Sequence, residues 1–75
     1  MPARLRDIIR VCARLGIQVE KPSSGSHWKT RSETGGMYPI PASNGERTEI
    51  SDKYIRGMCR AHGIDYEEMK RLLAD

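Results

Sequence analysis

The chain has 75 residues and a formal net charge of +3; only 37% of its residues are hydrophobic and none is Phe. That length suits one small domain, residues 1–75, with a modest core. No apolar run nears the ~20 residues of a membrane-spanning helix, and no apolar stretch follows the basic N-terminus as in a secretory signal. A soluble, cytoplasmic protein with no membrane partner is therefore expected.

Cys12 and Cys59 lie far apart, each in a helical apolar pattern, with no CxxC or Cys/His ligand spacing. They read as buried thiols in a reducing compartment, so neither a disulfide, a metal site nor a cofactor is expected. The charge is uneven: Met1 to Ile64 holds 11 Lys/Arg against 6 Asp/Glu, whereas Asp65 to Asp75 holds 2 against 4. A basic body suits nucleic acid, and equally suits solubility alone.

In chain order, Arg4 to Leu15 reads as an amphipathic helix. Leu5, Ile8, Ile9, Cys12 and Leu15 form its apolar stripe, and Arg6, Arg10 and Arg14 run along the other side at a spacing of four. Those like charges repel mildly, which a phosphate backbone would relieve. Gly16 is placed to end the helix in the left-handed conformation. Ile17 to Lys21 alternates as a half-buried strand closed by Pro22.

Ser23 to Ser26 forms a turn around Gly25, and His27 to Ser32 continues as a second strand. Glu33-Thr34-Gly35-Gly36 reads as a hairpin loop, and Met37 to Ile40 as a third strand, which Pro39 places at a sheet edge or at a bulge. After a polar loop with Asn44-Gly45 as its turn, Ser51 is the expected N-cap of a helix running to His62 and ended by Gly63. Tyr54, Ile55, Met58 and Cys59 are its expected buried residues, and Gly57 marks close helix–sheet packing. Asp65 then caps a short last helix with Met69, Leu72 and Leu73 inward. The layout is α+β: a three-stranded antiparallel sheet with helices on one face, in the order α-β-β-β-α(-α).

Strand alternation puts His27, Lys29 and Arg31 on one face and Trp28 and Thr30 on the other. An imidazole beside two cations is a group set that can move a proton on a phosphodiester while neutralising its charge. Trp28 reads as core rather than as a stacking platform, and His62 as a helix-end donor. Ser24 and Ser26 read as turn formers, and no HExxH, paired-carboxylate or phosphate-loop motif competes.

Taken together, the helix ending in Leu15-Gly16-Ile17, the Gly25-Ser26-His27 triplet, the hairpin ending in Ile40-Pro41 and Ile55-Arg56-x-Met58-x-Arg60-x-x-Gly63-Ile64 resemble the HicA-type toxins of bacterial toxin–antitoxin pairs. The likeness spans roughly Leu5 to Leu72. It implies a fold similar to a double-stranded RNA-binding domain and ribosome-independent cleavage of mRNA. It further implies a catalytic histidine at His27 and a HicB-type antitoxin that covers it. Many members carry a basic residue and a histidine after the third-strand proline, where this chain has Ala42 and Ser43. His27 is then the only histidine expected near the site.

The expected function is that of an endoribonuclease toxin using metal-free acid–base chemistry. His27 is the general base, with Lys29, Arg31, Arg6, Arg10 and Arg14 on the RNA phosphates and Gly25 and Ser26 shaping the turn; the general acid is unassigned. Two alternatives use the same residues: an RNA-binding module without catalysis, and an adaptor that binds protein through its sheet.

Overall fold

The computed structural model describes residues 1–75. The chain runs β1 (Ala3–Arg4), α1 (Leu5–Arg14), β2 (Gln18–Glu20), β3 (His27–Arg31), β4 (Met37–Pro41), a short 3-10 turn (Gly45–Arg47), β5 (Glu49–Ile50), α2 (Asp52–His62) and α3 (Tyr66–Ala74). The expected α+β architecture is present: β2, β3 and β4 form a three-stranded antiparallel sheet with β3 in the middle.

Two short strands were not anticipated. β1 pairs with β5, setting Ala3 opposite Ile50 and Arg4 opposite Glu49. The Leu5 N–H donates to the Thr48 carbonyl at 2.9 Å. The first turn of α1 has no side-chain cap, so this distant carbonyl satisfies one of its unpaired donors. A two-residue strand carries no alternation to read, so the segment from Pro41 to Glu49 looks like plain loop in the sequence.

The core draws on every layer. Leu5, Ile8, Val11 and Cys12 from α1 meet Trp28 from β3, Ile40 from β4, Ile55 and Met58 from α2, and Met69 from α3. The expected stripe of α1 is corrected at its end. Leu15 is 37% exposed and Val11 is buried instead, because Leu15 is the cap residue and its backbone has already left the helix. Ser51 holds the N-cap position of α2, but its side chain makes no capping bond. Asp65 does cap α3, accepting from the Glu67 N–H at 3.3 Å.

The register explains the two prolines of β4. Ala42 N–H donates to Ser26 O and Ser32 N–H to Gly36 O, so the hydrogen-bonded pairs between β3 and β4 involve even-numbered residues. Pro39 and Pro41 therefore point their missing N–H positions away from β3, at a free edge where no ladder bond is lost.

Gly57 lies buried in α2 facing β4. A Cβ there would overlap the hydroxyl and ring of Tyr38, so the absent side chain is what lets the helix settle on the strand. Gly63 ends α2 at φ 67°, the left-handed conformation that glycine adopts without steric cost.

Candidate functional site

β3 divides the molecule into two chemistries. Its exposure alternates residue by residue, with Trp28 at 7% and Thr30 at 0% facing the helices, and His27, Lys29 and Arg31 facing away. The helices cover only the Trp28/Thr30 side, which leaves a sheet face whose middle row is His27, Lys29 and Arg31. Pro41 and Pro39 lie opposite His27 and Lys29 on β4, and Glu20 lies opposite Lys29 on β2.

The Gly25 turn delivers His27 to this face. Gly25 takes φ 82°, a conformation that strains any residue with a Cβ. The Ser26 carbonyl then accepts from Ala42 N–H at 2.7 Å, fastening the turn to the end of β4. His27 emerges at the first position of β3, with no hydrogen bond to its ring.

Beside it lies an open concavity of about 450 Å³ lined by Glu20, Lys21, Pro22, Ser23, Ser24, His27 and Lys29, with no hydrophobic residue among them. Lys21 and Lys29 take part in no ion pair. This is the free positive charge of the site. Lys21 was not singled out from the sequence; the antiparallel register of β2 on β3 brings its end of the strand back beside His27, and that register is the signal that locates it.

Arg31 is engaged differently. Its Nε donates to Glu20 Oε2 at 2.9 Å. The bond to Arg31 holds the Glu20 carboxyl below its ordinary range, with smaller help from the charges of Arg31 and Lys29, and the guanidinium is raised in return. Of the two cations expected beside His27, Lys29 is unpaired and Arg31 is already paired.

The α1 arginines are not brought to this face. Arg10 reaches the Leu72 and Leu73 carbonyls at 3.5 Å, and Arg14 lies 3.7 Å from the Asp75 carboxylate. Both meet the C-terminal end of α3, where cations are favoured by the helix dipole. Arg6 is exposed on the same helix layer, across the sheet from His27. The arginine row of α1 and the Lys29/Arg31 row of β3 therefore belong to two surfaces of the molecule.

His62 also lies on the helix side. Thr30 Oγ1 donates to the Tyr38 carbonyl at 3.0 Å and lies 2.7 Å from His62 Nε2. Its one proton is used on the carbonyl, so Nε2 is the donor to the hydroxyl and Nδ1 is left without a proton. Nδ1 is buried and has no partner. Burial lowers the pKa of His62, while the Thr30 bond opposes that shift. His62 therefore does more than complement a helix end: it braces the one buried polar side chain of the core.

No group of three or more His, Cys, Asp or Glu side chains is arranged to hold a metal ion, and both cysteines are free and buried. Burial pushes the Cys12 thiol up to about 12, which keeps it protonated and unreactive. No helix is long and apolar enough to cross a membrane. Comparisons with known protein families, with curated proteins and with solved structures find no match in any of the three.

Proposed function

We propose that this chain is an endoribonuclease toxin of the HicA type, cleaving mRNA independently of the ribosome in the cytoplasm through His27. The observation that carries the reading is the open polar concavity that His27 lines together with Lys21 and Lys29, neither of which takes part in an ion pair, on a sheet face that no other element covers. The order of motifs along the chain, which resembles that family and its double-stranded RNA-binding-domain-like fold, is the second support.

The chemistry follows from the groups at hand. Cleavage without a metal needs a base for the ribose 2′-hydroxyl proton, an acid for the departing 5′-oxygen and positive charge against the phosphorane. Attack of the 2′-oxygen on the adjacent phosphorus forms a 2′,3′-cyclic phosphate and breaks the bond to the 5′-oxygen. An imidazole is suited to take the 2′-proton near neutral pH. Lys29 and Lys21 supply charge to the phosphate oxygens, and Glu20 confines Arg31 to a flanking position. A HicB-type antitoxin that covers the His27 face is the partner this reading requires.

One observation favours a second reading. No neighbouring side chain orients the His27 ring, and no second histidine shares the face, which fits an RNA-binding module that grips phosphates without cutting. Induced expression separates the two. With wild-type chain and no partner protein, growth arrest and fragmented RNA are expected; with His27→Ala, RNA stays intact. Equal fragmentation by both proteins would remove His27 from the chemistry, and arrest by both with intact RNA would favour the binding module.

A further inference from the structure

The uncovered sheet face sorts its side chains into columns, one per strand. On β3 stand His27, Lys29 and Arg31; on β4, directly opposite them, stand Pro41, Pro39 and Met37. These three pairs fall between the hydrogen-bonded ones, where opposite side chains approach most closely. The Arg31 guanidinium accordingly reaches the Met37 sulfur at 3.7 Å. A column of ionisable groups thus runs beside a column of apolar ones, in which Met37 and Pro39 are exposed.

The other flank differs in kind. β2 sets Gln18 opposite Arg31 and Glu20 opposite Lys29, and the Glu20 carboxylate is paired with Arg31 at 2.9 Å. Across the face the order is therefore anionic and polar, then cationic, then apolar. A polyanion laid along β3 is drawn to the middle column and repelled on the Glu20 side. Its uncharged lateral groups then fall over Pro39 and Pro41.

We infer that this face takes single-stranded RNA, with phosphates along the β3 column and unpaired bases lying flat on Pro39 and Pro41. The inference deepens the ribonuclease reading and rests on its placing of RNA against His27. Outward residues two apart on a strand are separated by about 6.7 Å, a step on the scale of one nucleotide in an extended strand. The pairs His27–Pro41 and Lys29–Pro39 are then two adjacent nucleotide positions, and the Arg31–Met37 pair ends the row.

Chemistry decides for a single strand over a duplex. In an A-form helix the bases are stacked on one another, and only their edges and the backbone are reachable. Pro39 and Pro41 have no backbone N–H and no polar side chain, so neither donates to a base edge. Each ring does offer an apolar flank that can exclude water from a base face. Contact of this kind tolerates any base, because every base has such a face. The helix side competes poorly for the strand, since Arg10 and Arg14 are already held at the C-terminal end of α3.

The test uses the full chain and short fluorophore-labelled RNA oligomers of 2′-O-methyl ribose, which lack the attacking hydroxyl and cannot be cut. The single strand should bind about tenfold more tightly than the same strand in a duplex, and about tenfold more tightly than one made abasic at its centre. Oligomers of a single base should differ among themselves by no more than about threefold. Pro39→Ser combined with Pro41→Ser should weaken single-strand binding about tenfold and leave its salt dependence unchanged. Lys29→Ala should instead lower the slope of log K against log salt by about 0.7. Amide shifts on titration should gather at Lys29, Tyr38 and Ile40.

Equal binding of single strand and duplex, or of intact and abasic strands, would overturn the inference without any variant that must fold. Shifts confined to Arg6, Arg10 and Arg14 would move the RNA to the helix side and overturn it too. Cleavage of the matching unmodified RNA separates this inference from the ribonuclease reading. Binding as expected with that RNA left whole would keep the proline shelf and remove the nuclease. Cutting of single strand and duplex alike would keep the nuclease and remove the shelf. Failure of every oligomer to bind would remove both and leave the face to a protein partner.

Discussion

The two faces of β3 carry two histidines in opposite circumstances. His62 meets the strand on its covered side, where its Nε2 is bonded to Thr30, whose hydroxyl is in turn held by the Tyr38 carbonyl. His27 stands on the uncovered side with no bond to its ring, lining a concavity with two lysines that take part in no ion pair. One side spends its polar groups on packing and the other keeps them available. The lesson is that strand alternation makes stability and chemistry nearly separable here, since a change on one face meets few atoms of the other.

That separation can be broken or sharpened by experiment. The largest expected effect is on the open face. His27→Ala should lower RNA cleavage by about 100-fold or more, the scale of a lost acid–base group, while its melting temperature stays within a degree or two of wild type. A large fall in melting temperature would show that the face is structural after all.

The covered face should respond in the opposite way. Gly57→Ala forces a methyl into Tyr38, and overpacking of this kind costs about 1–3 kcal/mol, against a gain of about 1 kcal/mol in helix propensity. Denaturant unfolding should show a net loss, and Gly57→Ala combined with Tyr38→Ala should recover part of it. Thr30→Val removes the hydroxyl shared by Tyr38 O and His62, with an expected cost of about 1–3 kcal/mol and cleavage by the folded fraction unchanged.

Acid provides a subtler comparison. Burial lowers the pKa of His62 in the folded chain. As pH falls through about 6.5, the unfolded chain takes up a proton before the folded one does. The stabilisation present above that pH is then progressively lost toward the lower folded pKa. Melting followed by circular dichroism should give a lower temperature at pH 5 than at pH 7.5, and His62→Gln should flatten the difference between them. Arg14→Ala should do least, under about 0.5 kcal/mol, because its pairing with Asp75 is exposed.

What the sequence disclosed, and what it hid, follows the range of the interactions. Helical periodicity located α1, α2 and α3, and alternation located β3 with both of its faces, because these are local repeats. Pro39 narrowed β4 to an edge or a bulge, and the unbroken register with β3 makes it an edge. Pairing was less visible. The ion pair that ties Arg31 to Glu20, and the lysine brought beside His27 from the end of β2, depend on strand register, which joins residues with no pattern in common. The α1 arginines show the same limit from another side: a row of charge is local, whereas the surface it faces is decided by where α3 ends. The His62 bond to Thr30 links positions 32 residues apart, and neither residue type announces the other.

The pairing of β1 with β5 has a consequence for the order in which a nascent chain can fold. α1 leaves the ribosome early, yet the carbonyl that closes its first turn belongs to Thr48, and the strand that holds its start in place ends at Ile50. Until Ile50 has been synthesised, the helix has neither. Ten-residue helices are marginal in water on their own, so α1 should stay unsettled through that interval. The sheet hairpins, whose partners are near neighbours, are free to form first, and α1 settles over them only once β5 has followed.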